Sequence, residues 1–169
     1  MMQQSTQVRK DTEFLSTPQR WAGLYTVVLM LLLLAFFIYH QRTNSGLFTD
    51  KFGWLQMIAL YGPILISLAP PFQRLIQGRR NPARPLEAVT DLSLALGSAI
   101  LLASFPFNFS HLADPFPATM RFAFAWINNN IGRLILILQL IIGILSALST
   151  MYSYLKVKGK IRSRFESGS

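Results

Sequence analysis

The sequence predicts an all-α integral membrane protein with four transmembrane helices and both termini on the cytoplasmic side. Charged residues are only 14% of the 169-residue chain, and they crowd into the segments between four long apolar stretches. A soluble helix keeps a polar face, and these stretches keep none. The basic residues also alternate in density from one connecting segment to the next, as they do when loops lie on opposite sides of a bilayer.

Residues 1–20 read as a short cytoplasmic arm. Arg9, Lys10 and Arg20 are mixed there with Asp11 and Glu13, and acids argue against an organelle transit peptide. The first span is expected over about residues 21–40, which carry no Asp, Glu, Lys or Arg. As a helix it reaches about 30 Å, the thickness of a hydrocarbon core. It exceeds a signal-peptide apolar region, and no small-x-small cleavage pattern follows His40.

The second span, about 54–70, contains Gly62 and Pro63 at its middle. Proline there is expected to kink the helix, and Pro70-Pro71 to close it. The third span, about 86–106, starts near Pro85 with Glu87 in its first turn, where a carboxylate complements the helix N-terminus, and Pro106 ends it. The fourth, about 133–155, follows a less apolar segment, 120–133, expected as a short interfacial helix anchored by Trp126. The three adjacent asparagines 128–130 read as the boundary of the fourth span. Together residues 21–155 form one transmembrane bundle, and 156–169 form a basic tail.

The arm, the 72–86 loop and the tail hold three, four and five basic residues, against Arg42, Lys51, Arg121 and Arg133 elsewhere. That bias places both termini inside, and an even number of spans agrees. Arg79, Arg80, Arg84, Trp126, Arg133, Lys156, Lys158, Lys160, Arg162 and Arg164 are the expected lipid and interface anchors. The tail is expected to lie extended on anionic headgroups, and Arg133 to snorkel toward them.

The chain has no cysteine, which removes disulfide scaffolds, thiol nucleophiles and sulfur-ligated metals. His40 and His111 lack metal-ligand spacing, and no hydrolase elbow or phosphate-binding glycine loop occurs. No catalytic constellation, metal site, cofactor or nucleic-acid interface is therefore expected. One carboxylate, Asp91, is a candidate proton or cation site, because an ionisable group inside a span is costly. The plainer reading places it near the interface, paired with Arg80 or Arg84.

On the fourth span Gln139, Gly143, Ser146, Ala147 and Thr150 form a stripe of small or hydrogen-bonding residues, matched on the third by Ala95, Ser98, Ala99 and Leu102, with Gly97 beside that series. Small residues let helices approach closely in lipid, so these faces are expected to pack. Six of the thirteen phenylalanines fall between Phe105 and Phe124. Phe105, Phe107, Phe109 and Phe116 are candidates for docking a partner, in a loop too apolar to be freely solvated. The expected function is a non-catalytic accessory, assembly or scaffold subunit of a larger membrane complex, with other membrane subunits or itself as partners. A small oligomeric transporter or pore is the alternative.

Overall fold

The computed structural model describes the backbone of residues 17–77 and 83–167, and the side chains of 21–77 and 83–159. It is all-helical, and four of its segments are long and apolar enough to cross a membrane: Trp21–Arg42, Trp54–Gln77, Arg84–Ser104 and Asn129–Gly159. The only pairing of extended backbone among the described residues is an isolated bridge between Phe48 and Phe107.

Helix α1 runs Thr17–Arg42. The second span is two helices, α2 (Trp54–Ile66) and α3 (Ala69–Gln77). The expectation that Pro70-Pro71 closes this span is corrected, because the prolines lie in the first turn of α3. Proline has no N–H, so the carbonyls of Ile66 and Ser67 lose their helical donors and the chain breaks just before. The first turn of a new helix needs no such donors, and the chain continues as a helix. Ser67 donates its hydroxyl to the Ile64 carbonyl at 2.6 Å, and its N–H to Pro63 O at 2.9 Å, tying off the end of α2.

Helix α4 runs Arg84–Ser104 with proline in its first turn, and ends where Phe105 adopts a left-handed conformation (φ 37°) and donates its N–H to Leu101 O at 2.8 Å. Helix α5 runs Asn129–Ser167. Asn128 caps it, its side-chain oxygen accepting from the N–H groups of Asn130 and Ile131 at 3.0 and 3.1 Å. The asparagine run thus lies at a helix boundary. Two expectations fail around α5. Residues 118–123 form a 3-10 turn in place of a short interfacial α-helix, in a segment that follows Pro115 and Pro117. The tail is helical through Ser167 and not extended, because Lys, Arg and Val after Leu155 include no proline to stop a helix already nucleated.

The helices lie in a row. α5 packs along α4, α4 packs on α2, and α1 lies mainly against α3. The buried core that includes Ala59, Leu101, Phe107 and Leu136 sits toward the end where the loops 43–53 and 105–128 meet. We call this the loop end, and the opposite one, where α3 stops and α4 starts, the terminal end. The large exposed side chains of α1 and α5, such as Leu32, Ile142 and Leu145, are apolar, as a surface bathed in acyl chains requires.

Candidate functional site

At the loop end several aromatic rings pack on one another, while Phe122 and Trp126 are exposed. Thr49 N–H donates to Pro106 O at 2.9 Å and Asn108 N–H to Leu47 O at 2.7 Å, so the two loops lace together. Phe107 is buried, Phe48 stacks on Phe52 with centroids 4.0 Å apart, and Phe105 and Phe109 flank Phe107. Phe109 fills the space above Gly132, where a Cβ would lie 2.1 Å from its ring. Phe116 stacks on Phe124 at 4.4 Å. Phe107 is buried, whereas Phe105 and Phe109 are partly exposed at the loop end. Their pairing partners, Phe48 and Phe52, lie some sixty residues earlier, so no local pattern reveals the cluster.

Arg133 sits over the Phe105 ring, 4.5 Å from its centroid, a cation–π contact. The residue remains exposed at the loop end. Trp126 is exposed and its indole donates to Ala123 O at 2.8 Å. His40 is buried and shares a hydrogen bond with Ser45 through Nδ1, while His111 pairs with Asp114 at 3.0 Å. No cluster of three potential metal ligands occurs among the described residues.

The polar groups within the spans collect toward the terminal end. Arg74 of α3 forms an ion pair with Glu87 of α4, and Arg84 donates from its guanidinium to the Ser153 carbonyl of α5 at 3.0 Å. Glu87 was legible only as a complement to the helix dipole; its partner comes from across the 78–82 connection. Asp91 lies one turn beyond Glu87 and accepts a hydrogen bond from the Ser146 hydroxyl of α5 at 2.6 Å. The expected pairing with Arg84 is corrected, since that side chain turns to Ser153. Arg79 and Arg80 lie outside the described residues, as do the side chains of Lys160, Arg162 and Arg164. Lys156 and Lys158 are exposed, the latter 5.8 Å from the Tyr154 ring centroid.

Asp91 stands at the junction of two depressions. One is a groove of about 370 Å³ between α4 and α5, lined by Gln139, Gly143 and Ser146 among apolar side chains. The other is a crevice of about 250 Å³ where Thr26, Ser67, Arg74, Glu87 and Thr90 converge. The crevice hydroxyls are anchored to their own helices: Thr26 donates to Ala22 O at 3.0 Å and Thr90 to Leu86 O at 2.9 Å. Each keeps lone pairs for another donor.

Gly143 makes the Asp91–Ser146 contact geometrically available, because a Cβ there would lie 2.8 Å from Asp91 O and 3.1 Å from Ala95 Cβ. Ala147 is buried and Thr150 is partly exposed on the same helix. Gly97 lies at a different helix contact from Gly143. It faces α2, where its Cβ would meet Ala59 O at 2.3 Å and Pro63 Cγ at 3.0 Å. Ser98 is buried, and its hydroxyl has no hydrogen-bond partner among the described residues.

No family model, curated protein or solved structure matches the chain. The reading of function therefore rests on this geometry and on the sequence.

Proposed function

We propose that this protein is a non-catalytic accessory or scaffold subunit of a larger membrane complex. The observation that carries the reading is the open row of helices. Only 11% of the first span's apolar window and 17% of the fourth's are buried within the chain, so each flanking span packs mainly on one neighbouring span and keeps a long free side. Helix α5 adds support: its 39 residues extend about 58 Å, nearly twice a hydrocarbon core. A helical extension of that kind is marginal in water alone and gains from a partner.

The test places a photo-crosslinking side chain at Leu32 of α1 and at Leu145 of α5, both exposed and apolar. Adducts to a larger polypeptide from either position support the reading. Adducts to lipid alone from both count against it.

For orientation we propose both termini in the cytoplasm. The twelve basic residues of the arm, the 72–86 segment around the α3–α4 connection and the tail, against four elsewhere, support that placement. Because the chain has no cysteine, single-cysteine labelling reports sidedness directly. Asn44→Cys is expected to react with an impermeant maleimide added outside, and Ser169→Cys only after permeabilisation. The reverse pattern would overturn the assignment.

A second reading, a small pore or transporter completed by oligomerisation, is favoured by one feature. The Asp91, Gln139 and Ser146 groove opens to the side of the chain, where a neighbouring copy would enclose it. Flux through liposomes holding the purified protein, lost in Gln139→Leu, would promote this reading over the first.

A further inference from the structure

We propose that two copies of this chain associate in the membrane through α5, with Gln139 of one copy hydrogen-bonded to Gln139 of the other. Such a pair goes beyond both readings above, because it forms equally in an accessory subunit and in a pore. The depth of the amide is the first reason. Gln139 lies six residues beyond Arg133, about 9 Å along the axis, and twenty residues before Gly159, about 30 Å. It is the one Asn or Gln between Arg133 and Lys156, in a stretch with no charged residue, and it lies inside a segment long and apolar enough to cross a membrane.

The second reason is hydrogen bonding left unmet. An amide side chain brings two N–H donors and a carbonyl acceptor. That of Gln139 makes no hydrogen bond among the described residues, although Ser146, two turns along the same groove, is joined to Asp91. Gln139 is partly exposed, in a groove whose nearby walls are Leu94, Ile135, Leu138 and Ile142. Acyl chains offer neither donor nor acceptor, so a polar partner at the same depth is what lowers the amide's free energy.

That requirement selects a second copy. Copies inserted with the same topology hold every residue level with its counterpart, and their α5 helices run parallel. At a two-fold axis along the membrane normal, residue 139 meets residue 139. The amide is self-complementary there, each side chain donating one N–H to the other's carbonyl oxygen. A different chain would have to carry a polar group matched to this level, whereas a second copy does so by construction. The flanking surface fits the same contact. Ile135 and Ile142 stand one turn to either side of Gln139, with Leu138 beside it, and all three are exposed. Their spacings of three and four are those that parallel helices interleave, and a single polar layer between apolar ones fixes register in such seams.

Because the chain has no cysteine, single-cysteine variants of the full-length protein report the contact. In native membranes treated with copper phenanthroline, Ile142→Cys is expected to give a disulfide-linked homodimer. Ile137→Cys, exposed at nearly the same depth but on another side of α5, is expected to give none. Adding Gln139→Leu to Ile142→Cys is expected to slow cross-linking about tenfold, and Gln139→Asn, which keeps an amide, to preserve most of the rate. No homodimer from Ile142→Cys, equal yields from the two positions, or an unchanged rate in Gln139→Leu would overturn the proposal. Cross-linking of Ile142→Cys to a different polypeptide in place of itself would also overturn it, assigning the groove to a partner chain. The first readout keeps Gln139 in place, so it holds even where the leucine variant misfolds. A missing homodimer leaves the accessory reading standing, since the adducts at Leu32 and Leu145 decide that one.

Discussion

Gly97→Ala is expected to destabilise the protein by about 1–3 kcal/mol, the usual cost of adding a methyl group to a packed interior. A Cβ at position 97 would lie 2.3 Å from the Ala59 carbonyl oxygen and 3.0 Å from Pro63 Cγ. The nearest obstacle is backbone, so no side-chain rotation relieves it, and α2 must move away from α4. The reason these atoms are so close begins with Pro63. Lacking an N–H, it leaves the Ala59 carbonyl without its helical donor, and the hydrogen of Gly97 in place of a methyl lets the facing helix come up to that oxygen. Close Cα–H···O approaches of this kind recur between helices. Thermal unfolding in detergent measures the effect. Gly62→Ala is the control, because its Cβ would meet only Ile58 Cγ2 at an ordinary 3.9 Å, and its stability is expected to be unchanged or slightly raised.

The second large effect is expected from Gly143→Ile. Its Cβ alone would stand 2.8 Å from Asp91 O and 3.1 Å from Ala95 Cβ, and the branched remainder has to go into the groove or between the helices. We expect a loss of about 1–3 kcal/mol, or more if α5 is forced off α4. A melting temperature equal to that of the unsubstituted protein would show that α4 and α5 do not pack through this face.

The four spans are legible because lipid imposes a simple constraint, length without charge, and charge-free stretches such as residues 21–40 need no tertiary information to be read. Where local grammar has two outcomes, the sequence is ambiguous. Pro70-Pro71 reads as the end of one helix, yet it equally starts the next, and only the packing of α3 on α1 decides. The basic tail has period two, which suggests an extended chain on a surface. Continuation of α5 past Leu155 keeps it helical instead.

The site was half legible. Asp91 and Ser146 stand out as polar residues within apolar stretches, but 55 residues separate them, and their 2.6 Å hydrogen bond depends on Gly143 admitting α4. Gly97 stands beside the small-residue face of the third span in sequence. On a helix a shift of a few residues rotates a side to another neighbour, and Gly97 serves the α2 contact. The partners of Phe107, Phe48 and Phe52, are remote in sequence from the 105–124 segment. Burial of Phe107 against them is a tertiary fact with no local signature.

The most direct test of the central claim is purification of a tagged full-length chain from its native membrane in mild detergent, with native gel separation and mass spectrometry of what travels with it. The open row of helices predicts recovery in a stoichiometric complex with one or more larger membrane proteins, whose identities name the process served. Recovery as a lone monomer or homo-oligomer, with nothing else in stoichiometric amount, would contradict the accessory-subunit account.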